Sequence, residues 1–173
     1  MRRALLGPLA ITTLLAWGCG GDPSPSTADG VATWLRGQAI ETEHGLVWPS
    51  DADAKDSVSL NLYDGTPGVV LFFLHRHRVT RGADPRDLEH ALDGADHILA
   101  TLPDEAKTPG FYVGVAGGGF TLDEAHRITG EERFAAGAAR CVALMEESAT
   151  RTEHGVTWNG TSDIISGSAG AGL

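Results

Sequence analysis

The chain is short of cysteine and of positive charge. Two cysteines among 173 residues, Cys19 and Cys141, are too few for a disulfide framework and have no zinc-finger spacing. Lys and Arg number 13 against 23 Asp and Glu, a net charge of -10. That balance excludes the broad positive field that nucleic acid or an anionic membrane surface requires. The apolar stretch Leu5 to Trp17 is too short to cross a bilayer as a helix.

What stands at the start instead reads as an export signal. Arg2 and Arg3 precede the apolar stretch, and residues 1–18 end in Leu15-Ala16-Trp17-Gly18 before Cys19. This resembles a bacterial lipobox, in which the cysteine becomes the lipid-bearing first residue. The expected location is therefore the cell envelope, anchored to a bacterial membrane through Cys19, with ordinary secretion to the periplasm or medium as the alternative. Residues 19–28, with Asp22-Pro-Ser-Pro-Ser, have the composition of a flexible linker.

From residue 29 to residue 173 the chain repeats itself. Leu62-Tyr-Asp-Gly-Thr-Pro-Gly68, Phe111-Tyr-Val-Gly-Val-Ala-Gly117 and Ile164-Ile-Ser-Gly-Ser-Ala-Gly170 share a Gly-x-x-Gly after apolar or aromatic residues, at Gly65/Gly68, Gly114/Gly117 and Gly167/Gly170. The first two are 49 residues apart and the next 53, the period of one supersecondary unit. The same shift carries Tyr63 onto Tyr112 and His77-Arg78-Val79-Thr80 onto His126-Arg127-Ile128-Thr129. A further echo joins Glu43-His44-Gly45 and Trp48 to Glu153-His154-Gly155 and Trp158, 110 residues on.

The periodicity predicts helices in each unit. Thr27 to Ile40, with Asp29 as a cap, reads as a first, outer helix, and Glu41 to Leu62 as a loop with one short extended or hairpin element. Thr66 to Arg81 reads as an inner helix stopped by Gly82, and Asp84-Pro85 starts an outer helix whose apolar face is Leu88, Leu92, Ala95, Leu99 and Leu102. The second unit follows with an inner helix to Ile128, a Thr129/Glu132 capping box, and an outer helix burying Phe134, Ala138, Cys141, Val142 and Met145. With the third phrase near Leu173, the expected fold is all-α: about two and a half inner/outer helix-hairpin repeats of an incomplete α/α toroid. Apolar faces at Val69 to Leu74 and Gly117 to Leu122 are expected to lie open, leaving the chain marginally stable or in need of a partner.

Those phrases, together with Gly110 and Asp163 before them, resemble the lanthionine synthetase C-like (LanC-like) family, over Thr33 to Leu173. The resemblance implies a toroid with its glycine phrases at one end of the inner ring, where helix N-termini turn free N–H groups toward a ligand. It also implies a cyclase lineage, in which zinc activates a peptide cysteine for addition to a dehydroamino acid. The family's zinc ligands, one cysteine and a later Cys-His pair, belong to units after the third phrase. No metal site or cofactor is thus expected in this chain, zinc being a feature of full-length relatives, and a fragment of this kind would be inactive alone. By the same resemblance Asp163 corresponds to the acidic residue proposed to move a proton near the zinc; otherwise it caps its loop.

Three functional classes follow. The first is an exported cyclase-type fragment, with a peptide substrate or a partner protein that completes the toroid. The second is a non-catalytic envelope lipoprotein that binds a peptide or another component. The third, a glycan-processing toroid, needs paired carboxylates, for which only Asp64 and Asp163 stand near the phrases. Elsewhere His75 and His77 fall on different helix faces, Asp93 and His97 stand one helical turn apart, and His44 and His154 belong to loop packing.

Overall fold

A computed structural model describes residues 26–158 and 160–173. The leader 1–18, Cys19 and the linker as far as Pro25 lie outside the described residues. Helix α1 (Thr27–Gln38) opens with a reciprocal cap. Asp29 N donates to Ser26 Oγ at 3.2 Å, and the Asp29 carboxylate accepts from Ser26 N at 2.9 Å. Asp29 is therefore the third helical residue of a capping box and Ser26 is the cap.

Two antiparallel hairpins follow where one was expected: β1 (Ile40–Thr42) with β2 (Gly45–Val47), then β3 (Pro49–Asp51) with β4 (Ala54–Val58). Tight turns account for both. Gly45 takes φ +129° after Glu43-His44, and Asp51 Oδ1 accepts from Asp53 N at 2.9 Å, an Asx turn whose polar sequence reads as plain loop.

The rest is mainly helical: α2 (Thr66–Val79), α3 (Pro85–Ala100), α4 (Val115–Thr129), α5 (Glu132–Ser148) and the single turn α6 (Ser168–Ala171), with a third hairpin of β5 (Thr150–Thr152) and β6 (Gly155–Thr157) before α6. Asp84 caps α3 through Arg86 N at 3.1 Å, with Pro85 in the first turn, as expected. The Thr129/Glu132 capping box does not form. Thr129 still belongs to α4, where its hydroxyl donates to Ala125 O, and the left-handed Gly130 makes Glu131 the cap of α5.

Helices α2 and α3 pack as one hairpin, α4 and α5 as a second, and α4 lies against both α2 and α3. Small residues set these contacts. A Cβ on Gly94 would lie 2.5 Å from Val70 and 2.9 Å from Trp48, and one on Gly119 would lie 2.8 Å from the Cβ of Cys141. The buried stripe of α3 accordingly runs along Asp87, Ala91, Gly94, Ala95 and Ile98, leaving Leu88, Leu92 and Leu99 at its margins. In α5 it runs along Phe134, Gly137, Cys141 and Leu144, and Val142 faces outward. The predicted stripes are rotated because glycine and alanine let the backbones approach and Leu fills the flanks. Val70, Phe73 and Leu74 are fully buried and Phe120 alone is exposed in the Gly117 to Leu122 segment, so the expected open faces are largely covered.

Under the α1 end sits an ion cluster that single-residue reading misses. Asp87, with no exposed surface, accepts from both Arg36 and Arg76; Arg36 also reaches Asp84 at 3.0 Å, and Arg76 reaches Asp29. The cluster ties α1, α2 and the first turn of α3 together, where a carboxylate also complements the helix N-terminus.

Candidate functional site

The three glycine phrases fold into three copies of one loop. In each, the first N–H of the helix donates to a carbonyl seven residues upstream: Thr66 N to Ser59 O, Val115 N to Thr108 O and Ser168 N to Thr161 O, at 3.0, 3.0 and 2.8 Å. The first glycine of each phrase presses on that same carbonyl. A Cβ on Gly65, Gly114 or Gly167 would lie 2.1, 2.2 or 2.5 Å from it. The second glycine presses on another: Gly68 on Leu62 O, Gly117 on Phe111 O and Gly170 on Ile164 O, at 2.6, 2.2 and 2.1 Å. Distances below 3 Å leave no room for any side chain, so the six glycines close the loops. The leading N–H groups of these helices are spent on the loops as well, and the expectation that they stand free for a ligand does not hold there.

The loops are joined in series. Tyr63 N donates to Tyr112 O at 3.0 Å, and Tyr112 N and Val113 N both donate to Ile165 O at 3.1 Å. This makes one rim of backbone hydrogen bonds running from the first phrase through the second to the third. Tyr63, Tyr112 and Ile165 occupy the same place in successive loops and are 74%, 37% and 50% exposed. A row of large side chains thus stands in solvent along the rim.

Asp163 sits on the third loop. Its Oδ1 accepts from Ile165 N at 2.6 Å and Ser166 N at 2.9 Å, and its Oδ2 from Ser166 Oγ at 3.1 Å. Those bonds, Ser166 N foremost, hold its carboxyl below the usual range and keep it ionised. Asp64 accepts from Ser59 Oγ at 2.9 Å on the first loop. Beneath the first two loops is a cavity of about 580 Å³ between Asn61, the Ile98–Leu102 end of α3 and Val115; neither Asp64 nor Asp163 lines it.

The other candidates scatter. His97 Nδ1 meets Thr42 Oγ1 at 3.0 Å instead of Asp93, and burial, with His44 nearby, pushes its pKa down. His75 lies 3.8 Å from Glu124, while the ring of His77 packs on Gly82. His44 and His154 hold equivalent hairpin turns, each N–H donating to a threonine hydroxyl, Thr42 or Thr152, at 3.2 Å. Cys141 is buried, its thiol pushed up to about 11 by desolvation. No group of three His, Cys, Asp or Glu among the described residues is placed to hold a metal ion. The described residues do not fit the zinc that the resemblance assigns to full-length relatives.

The repeated phrases and their shared geometry match a known pattern over most of the chain. The family model for lanthionine synthetase C-like proteins matches residues 56–173. The chain belongs to the lanthionine synthetase C-like family. No match is found among curated proteins. The LanC-like match starts at Asp56, inside β4, whereas the resemblance read from the residues begins at Thr33. α1 and the first hairpin nevertheless follow the same plan as the matched α5 and β5–β6. Trp48 Nε1 donates to Leu35 O at 2.8 Å and Trp158 Nε1 to Met145 O at 2.7 Å. Trp48 N and Trp158 N reach the hydroxyls of Thr66 and Ser168, at 3.3 and 2.9 Å.

Proposed function

We propose that this protein is an exported LanC-like protein whose helix hairpins are sectors of an α/α toroid, and that residues 1–173 do not by themselves catalyse lanthionine formation. The observation that carries the toroid is the rim: three like-bonded loops joined edge to edge, the first two opening helices α2 and α4 that pack against each other. Repeats related in this way build a ring or a solenoid, since each buries its face only against the next. The catalytic half of the proposal rests on the donor set. The one cysteine described is buried in α5 with its thiol in the un-ionised form, whereas a metal-bound or nucleophilic cysteine is a thiolate.

Asp163 then serves as the keeper of its loop, with both carboxylate oxygens accepting bonds from Ile165 and Ser166. A proton relay needs a carboxyl that changes state near neutrality, and this one is held ionised. Export rests on the leader 1–18 and on Cys19 as the lipid-bearing residue.

A second reading, a peptide-binding envelope lipoprotein, is favoured by the exposed row of Tyr63, Tyr112 and Ile165. Two exposed tyrosines and an isoleucine in line beside a backbone rim suit an extended peptide better than they suit a reaction centre.

The test joins both halves. Purified chain is assayed for zinc content and for ring closure on a dehydrated precursor peptide, with and without added zinc. Less than one zinc per chain and no ring closure are expected; ring closure by this chain would overturn the proposal. Processing blocked by a lipoprotein signal-peptidase inhibitor, and lost in Cys19→Ala, checks the anchor.

A further inference from the structure

At the opposite ends of α2 and α4 from the glycine loops lies a feature that the proposed function does not use. The repeated run His77-Arg78-Val79-Thr80 and His126-Arg127-Ile128-Thr129 brings the last turns of the two helices together around a cavity of about 310 Å³ lined by His77, Arg78, Arg81, Arg127 and Ile128. Three arginines and a histidine line one depression in a chain whose net charge is -10. Basic residues in a last helical turn complement the carbonyl end of the dipole. Arg78 and Arg127 fit that ordinary role, Arg78 lying 3.9 Å from Glu124, and Arg127 2.6 Å from Asp123 and 3.8 Å from Glu124.

Two observations exceed it. Arg81 lies beyond the end of α2 and has no ionic partner among the described residues. It is also the one described non-glycine residue with positive φ, at 53°, a strained conformation that gathers at functional sites. In addition, His77 Nδ1 is buried with no hydrogen-bond partner among the described residues, whereas the repeat-related His126 Nδ1 meets Glu131 O at 3.2 Å. The same ring in the same place is satisfied in one copy and orphaned in the copy that lines the cavity. A buried polar atom left unpaired is costly, and this one belongs to a ring that packs on Gly82 at the wall of the cavity.

We propose that this cavity is a phosphate-group site. Arginine forks pair with tetrahedral oxyanions through several charge-assisted bonds, and a phosphate group offers oxygens enough to engage more than one guanidinium. Arg81 is the principal ligand because it is free of competing carboxylates; Arg78 and Arg127 share Asp123 and Glu124 and supply the surrounding field. The cavity exceeds one inorganic phosphate, so the group is carried on a small molecule or a lipid headgroup.

Calorimetric titration of the full chain with sodium phosphate, against sodium chloride at matched ionic strength, reads the site. Saturable binding is expected with phosphate and not with chloride. Arg81→Gly suits the positive φ, preserves the fold by circular dichroism, and should weaken binding about tenfold. Arg127→Gln should weaken it less, and Arg151→Gln, an exposed change elsewhere, should leave it unaltered. Sedimentation with phosphatidylglycerol vesicles, phosphatidylcholine as control, separates the sources: pelleting lost in Arg81→Gly assigns a headgroup, and calorimetric binding without pelleting assigns a free phosphate compound. No phosphate response in either assay, or binding undiminished in Arg81→Gly, overturns the proposal.

Discussion

Asp87 is the sharpest point at which to test how the helices are held together. It has no exposed surface and accepts from Arg36 and Arg76, which are themselves about nine-tenths buried. Removing one member of a buried ion cluster leaves charge without compensation and costs about 3–5 kcal/mol. Here Arg36 keeps Asp84 and Arg76 keeps Asp29, so Asp87→Asn should sit near the lower figure, about 3 kcal/mol. With a urea slope of about 2 kcal/mol per molar, the unfolding midpoint should fall by about 1.5 M. The exposed Asp93→Asn should cost less than about 0.5 kcal/mol, a midpoint shift of no more than about 0.25 M. Arg36 Nε has no hydrogen-bond partner among the described residues, so the cluster is imperfectly satisfied. The triple change Asp87→Leu, Arg36→Met and Arg76→Met should therefore recover most of the loss, because an apolar replacement incurs no desolvation of charge. If Asp87→Asn moves the midpoint no further than Asp93→Asn, the cluster is not what joins α1, α2 and α3.

Acid should destabilise the chain with a particular sign. The Arg86 side chain, first among its causes, lowers the Asp84 pKa from 3.8 to about 2, and Arg76 lowers that of Asp29; depressed folded values give stability that is complete above about pH 4 and fades as pH falls toward 2, read by thermal melts across that range. In a Cys19→Ala background, Cys141 should ignore a disulfide thiol reagent in the native chain and react fully in urea, since its thiol is buried and raised to about 11; fast native labelling would contradict the packing of α4 on α5. Gly117→Ala, whose Cβ would fall 2.2 Å from Phe111 O, should cost about 1–3 kcal/mol of stability. Gly30→Ala, in open space on α1, should gain about 0.5–1 kcal/mol instead, and equal effects in urea would refute the account of the loops.

Much of this architecture is written locally. Asp84-Pro85 starts α3 because a carboxylate and a preset φ act within one turn, and Gly82 can stop the preceding segment because it takes φ +74°. The repeat of glycine phrases is likewise legible, since each phrase must close the same loop. What stays hidden depends on distance in the chain. Asp29, Arg36, Arg76 and Asp87 look like separate solvated charges until folding places them together. The buried stripes are misplaced because hydrophobicity favours Leu88 and Leu92, while packing favours the small Ala91 and Gly94 beneath Trp48. The same preference for individual charges hides Arg81, whose meaning comes from its positive φ and from Arg127 on another helix.

The two related hairpins show what a repeat fixes and what its surroundings fix. Thr42 and Thr152 hydroxyls donate to Gly45 and Gly155 carbonyls at 2.8 and 3.2 Å, and both glycines are left-handed, at φ +129° and +137°. The turn alone therefore requires glycine in each. Around β1–β2, however, α3 closes in: a Cβ on Gly45 would lie 2.0 Å from Asp93 O, and His97 meets Thr42. Around β5–β6 the equivalent space is open, with nothing within 4 Å of a Cβ on Gly155. Trp48 is correspondingly buried and Trp158 half-buried, although their indoles make the same bond. Local bonds thus write each unit before its neighbour arrives, and burial comes from the helix laid over it. Stability in this fold is shared between units in that way, so a change in α3 should loosen β1–β2 while leaving β5–β6 as it stands.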